Sequence, residues 1–74
     1  MSELLFDNIV NQMTPLLTES QQEAWQKHYV KMCNDMVFVA PEMFVSWKLA
    51  KLKRFLSLHL AVPGILSLYE QIDD

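Results

Sequence analysis

The sequence predicts an all-α fold, a small antiparallel bundle of three main helices and a short C-terminal fourth. Three observations predict it. Apolar residues recur at spacings of three and four along most of the chain, which is the period of a helix face. The strongest breakers, three prolines and one glycine, fall between the periodic stretches or at their ends. The one β-branched run, MVFVA at residues 36–40, has no second run to pair with.

The elements follow in order. Ser2 can cap a first helix with Glu3 in its opening turn, where a carboxylate is favoured by the helix dipole. Phe6, Ile9, Met13 and Leu16 then recur at helical spacing. Pro15 should end or distort this helix near Met13, which can leave Leu16 and Leu17 in the connection. Ser20 to Glu23 (SQQE) reads as a capping box, and Thr18 with Gln21 offers the same device slightly earlier, so a second helix starts within that window. Trp25, Tyr29, Met32 and Met36 form its apolar stripe with Cys33 beside them. Glu23, Lys27 and Lys31 make an i,i+4 ladder for the solvent side. Residues 36–40 are expected to be the buried end of this helix, running into a turn. Pro41 suits the first position of a third helix, with Glu42 beside it. Val45, Leu49, Leu52, Leu56 and Leu60 repeat at helical spacing until VPG, residues 62–64, interrupts. Ile65, Tyr69 and Ile72 make the short last helix. Short connections of about two to five residues favour antiparallel neighbours crossing at roughly 20°.

Seventy-four residues, residues 1–74, make one domain, and an apolar fraction of 51% allows it a core. A lone core of this size supplies only about 3–5 kcal/mol, and one cysteine permits no internal disulfide. Self-association or a partner chain is therefore the expected supplement. No apolar run reaches the about 18 residues of a membrane span. The first ten residues carry no basic region of a secretory signal, and an unpaired Cys33 fits the reduced cytoplasm.

The segment WKLAKLKRFLSLHL, residues 47–60, holds four of the six basic residues of a chain with net charge −3. On a helical wheel Val45, Leu49, Leu52 and Leu56 fall within roughly 60° and form the core face, which Phe44, Phe55 and His59 widen. Met43, Trp47, Lys51, Arg54 and Leu58 line a second stripe, well over 90° from those leucines. A small bundle cannot easily bury both sides of one helix. This stripe is the candidate partner-binding site, although Trp47 could also pack in the core. Trp and Arg are the side chains most enriched in binding hot spots. Residues 43–69 contain no acidic residue, whereas the rest of the chain holds all nine. A positive strip on an acidic body steers partners with an acidic surface and favours self-pairing. Lys48 and Lys53 read as cations of a solvated helix back.

Catalytic and metal chemistry find little support. His28 and Cys33 are five residues apart, about 140° around a helix, and no CxxC, HxxxH or HExxH occurs. Cys33 in an apolar stripe reads as an inert small hydrophobe, and His59 as a core-edge histidine. Ser57 and His59 point to different sides, Glu19 and Glu23 belong to a helix start, and one glycine builds no phosphate loop. The expectation is a non-enzymatic protein–protein interaction module with no cofactor, an adaptor, inhibitor or regulatory subunit that self-associates or binds an acidic protein surface. The alternative is a dimeric nucleic-acid-binding regulator, which a pI near 5.2 and scattered cations disfavour.

Overall fold

In the computed structural model, which describes residues 3–72, 81% of the described residues are helical and no strand forms among them. The helices are α1 (Glu3–Met13), α2 (Glu19–Asp35), α3 (Phe44–Ser57) and α4 (Ile65–Glu70). Three 3-10 turns join them, Thr14–Leu16 after α1, then Met36–Phe38 and Pro41–Met43 between α2 and α3. The predicted small all-α bundle, three main helices and a short fourth, is the observed fold. The predicted Ser2 cap lies outside the described residues.

Each junction has a local cause. Pro15 cannot donate to a helical ladder, so the chain tightens into the 3-10 turn at Thr14, whose Oγ1 donates back to Val10 O at 2.9 Å. Thr18, not Ser20, caps α2. Its hydroxyl accepts from Gln21 N at 3.2 Å, and Gln21 Oε1 accepts from Thr18 N at 2.9 Å. Ser20 is already inside the first turn, so the SQQE box is displaced by the earlier one. Gln22 Nε2 donates to the carbonyls of Thr14 and Leu17, which satisfies the connection and ties α2 to the end of α1. Against this same junction, Gly64 has φ 92°. A β-carbon there would stand 2.9 Å from Leu16 Cδ1, so glycine is needed both for the backbone angle and for the approach.

The core contains Phe6, Ile9, Met13 and Leu17 from the α1 side, Trp25 and Met32 from α2, Leu52, Phe55 and Leu56 from α3, and Ile65, Leu68 and Ile72 from the C-terminal end. Helix α3 packs against α1, α2 and α4 and is the central element. The radius of gyration, 11.9 Å, is close to the roughly 11 Å of a compact domain this long. Several expectations need correction. Leu16 is exposed and Leu17 buried, because the 3-10 turn rotates the stripe by about one residue. Val45 and Leu49 are only half-buried, and Leu60 lies beyond the end of α3 and is 40% exposed. Tyr29 is 42% exposed and Cys33 is exposed, so α2 buries a narrower stripe than its sequence suggests. The connections after α2 and α3 are also longer than predicted.

Candidate docking surface

The largest correction concerns residues 36–40. Met36–Phe38 forms a 3-10 turn after α2, not a buried helix end, and Val37 and Phe38 are 78% and 85% exposed. Helix α2 has already ended at Asp35, and Val39 at φ −109°, ψ 133° carries extended chain toward α3. Pro41 keeps Ala40 extended as well, at φ −62°, ψ 137°, because the residue before a proline is pushed to extended backbone. Pro41 starts a 3-10 turn, and the α-helix begins only at Phe44.

The extended segment leaves an apolar groove of about 670 Å³, lined by Phe38, Val39, Ala40, Met43, Ser46, Trp47 and Ala50. One wall is the α2–α3 connection. The other is the side of α3 that faces away from Leu52 and Leu56. Of the predicted stripe, Met43 and Trp47 line this groove. Met43 is 52% exposed, whereas Trp47 is half-buried and packs partly against the core. Trp47 is thus shared between the two settings weighed for it. Lys51 Nζ sits 5.5 Å from the Trp47 ring centroid, within range of a cation–π contact worth about 0.5–1 kcal/mol at a partly wet site.

Arg54 is exposed one turn further along α3 and borders a separate notch of about 170 Å³ with His28, Lys31, Met32, Asp35 and Lys51. In this notch Lys31 pairs with Asp35 at 3.4 Å, a wet i,i+4 pair of small energetic weight. His28 Nε2–H donates to Lys51 O at 3.1 Å, and its ring lies 5.5 Å from both Trp25 and Phe55. Burial lowers its pKa below 6.5. The Lys51 carbonyl opposes that shift, and the Lys51 and Arg54 charges reinforce it. Leu58 follows the last residue of α3 and is 74% exposed, beyond the groove-lining residues. The structure therefore gathers Met43, Trp47 and Lys51, sets Arg54 beside them and leaves Leu58 outside the groove.

The other two lysines are not a solvated helix back. Lys48 Nζ lies 4.8 Å over the Phe6 ring. Lys53 Nζ donates to Ile72 O at 2.9 Å and lies 4.9 Å over Tyr69. His59 is a half-buried core-edge histidine, its Nδ1 2.9 Å from Phe55 O and its ring 4.4 Å from that of Phe55. A further cleft of about 400 Å³ between α1, α2 and α3 is lined by Phe6, Asp7, Trp25, Tyr29 and Lys48 among others. Among the described residues no group of three or more His, Cys, Asp and Glu could hold a metal ion, and no helix is long and apolar enough to cross a membrane.

The residues that sequence reasoning missed are Val37, Phe38, Val39 and Ala40. Their signal was present: an apolar run directly before a proline, with no strand to join. That combination places the run in the connection and leaves Val37 and Phe38 nothing to be buried against. No family model matches this chain, and no curated protein or solved structure matches it either.

Proposed function

We propose that the protein is a non-enzymatic interaction module that binds protein through the outer face of α3 and the connection before it. The single observation that carries this reading is Phe38, 85% exposed at the rim of an apolar groove that also contains Met43 and Trp47. Water around such a patch is released on docking, worth about 25 cal/mol for each Å² covered. Large contiguous apolar patches on small proteins mark contact sites. Lys51 beside Trp47 and Arg54 beyond it add charge at one end, which steers approach and fixes orientation more than it adds affinity. The exposed Cys33 thiol suits a reducing compartment such as the cytoplasm.

The nucleic-acid reading gains nothing comparable. Lys48 is drawn toward α1 and Lys53 toward α4 by the contacts described above, so the four cations of α3 do not present one basic side to a phosphate backbone.

The test is site-specific photo-crosslinking in the native host. Benzoylphenylalanine replaces Phe38 in one strain and exposed Glu23 on α2 in another. Protein adducts specific to position 38 are expected. Equal adducts at both positions, or none at 38, would overturn the reading.

A further inference from the structure

We infer that the notch between α2 and α3 binds a doubly charged phosphoryl group, gripped by Arg54 and Lys51 and completed by Lys31. The site is separate from the apolar groove, and the inference does not rest on the interaction reading.

Two helix sides build it. His28, Lys31, Met32 and Asp35 recur at three and four along α2 and share one side of it, while Lys51 and Arg54, three apart, share one side of α3. The fold brings these six residues around one concavity of about 170 Å³. His28 holds the two helices together at this point. Its Nε2–H donates to Lys51 O at 3.1 Å, and its ring rests against Trp25 and Phe55. Met32, almost fully buried, adds an apolar wall. The concavity is smaller than the roughly 300–1,000 Å³ of a site that encloses a whole ligand. It takes a charged group of a few atoms and leaves the rest of the ligand outside.

Charge decides which group. Three cations and one carboxylate leave the notch with a net charge of +2 while His28 is neutral. Asp35 pairs with Lys31. Lys51 meets only the Trp47 ring, and the Arg54 guanidinium has no partner among the described residues. Burial lowers the pKa of His28 and these two cations lower it further, so both charges are felt inside the notch. Apolar walls focus such a field. A phosphoryl group brings close to two negative charges at neutral pH. The guanidinium fork matches two of its oxygens, and lysine adds a point charge. A carboxylate or a phosphodiester brings one charge and leaves the second cation unmatched.

Lys31 is the movable member. It precedes Asp35, which is the weaker orientation of an i,i+4 pair, and the two side chains are 79% and 41% exposed. Such a pair contributes little, so Lys31 turns to an incoming anion at small cost.

The test is a titration of the intact chain with inorganic phosphate at about pH 7.5, above the second ionisation of the ligand, with sodium chloride holding the ionic strength constant. Heteronuclear NMR should show saturable shifts confined to residues 28–35 and 51–54. Arg54→Gln should weaken binding about ten-fold, the loss of a charged hydrogen-bond donor. Asp35→Asn should tighten it roughly two- to five-fold by releasing Lys31. Lys27→Gln, on the same helix but outside the notch, should change nothing. Dimethyl phosphate, with one charge, should bind at least about ten-fold more weakly. Sulfate stays doubly charged through the titration of His28, and it should move that midpoint upward by offsetting the two cations. A capped peptide with one phosphoserine separates two sources of the group. Tighter binding than inorganic phosphate assigns the group to a protein side chain, and equal or weaker binding assigns it to a free phosphate. Non-saturating shifts spread over every lysine, an affinity indifferent to Arg54→Gln, or equal binding of dimethyl phosphate would overturn the inference.

Discussion

The two sides of α3 use similar side chains to opposite ends. On the inner side Leu52, Phe55 and Leu56 are almost completely buried and lie against α1, α2 and α4. On the outer side Met43 and Trp47 share a groove with Phe38 and remain partly or largely exposed. Hydrophobicity alone does not separate them, since each side has an aromatic residue and long aliphatic ones. What separates them is the supply of neighbours. Three helices converge on the inner side, while the groove on the outer side is walled only by α3 and the connection before it. An apolar group is core when another element arrives to cover it. In this protein the covering elements run out halfway around the central helix.

Truncation should break the comparison most sharply. Leu56→Ala removes a fully buried side chain and should cost about 2–5 kcal/mol. That is most of the stability a core of this size supplies, so urea or thermal denaturation should show a largely unfolded chain. Phe38→Ala deletes a larger side chain on the outer side and should shift stability by less than about 0.5 kcal/mol. Comparable losses for the two would mean that the connection belongs to the core.

Trp47→Ala belongs between these. The indole touches the core yet is only partly buried, so the about 3–5 kcal/mol of a fully buried tryptophan should shrink to roughly 1–3 kcal/mol. Helical content measured by circular dichroism should persist. Complete unfolding on this change would move Trp47 to the inner side and shrink the docking face to Phe38 and Met43.

The inner side was legible in the sequence and the outer side only in part. Periodicity located Phe6, Ile9, Met13, Leu52 and Leu56 because a repeat of three and four is what one buried stripe requires. It also gave Met43, Trp47, Lys51, Arg54 and Leu58 as a second stripe, of which Leu58 lies outside the groove. It could not say that Val37 and Phe38 would be exposed, because a helical pattern carries no information about whether an element arrives to cover it. The capping signal shows the same limit on a smaller scale. Thr18 and Ser20 both stand at the start of a suitable motif, and the choice between them follows from where the 3-10 turn after α1 delivers the chain. Thr18→Ala should therefore cost about 1 kcal/mol and Ser20→Ala less than about 0.5 kcal/mol, compared by urea midpoints. The reverse order would restore the later box.

The smallest expected effect lies on the seam between the two sides. His28 rests against Phe55 from the inner side, while Lys51 and Arg54 reach its notch from the outer one, together with Lys31 and Asp35 on its own helix. Burial is the largest cause of its lowered pKa, with the two cations of α3 acting in the same direction. Unfolding returns the ring to its ordinary value of 6.5. Between the lowered value and 6.5 the unfolded chain therefore holds more protons, and stability rises with pH across that interval. Above 6.5 both states are neutral at this site and its contribution is level. As the pH falls through the interval the imidazole must be charged beside two cations, or the fold must open. Urea midpoints at about pH 5.5 and about pH 7.5 should thus differ more for the native chain than for His28→Gln. Arg54→Gln should narrow that difference too, by removing one of the two opposing charges. If Arg54→Gln has no effect, the outer-side charges do not reach the inner ring, and the two sides of α3 are electrostatically independent.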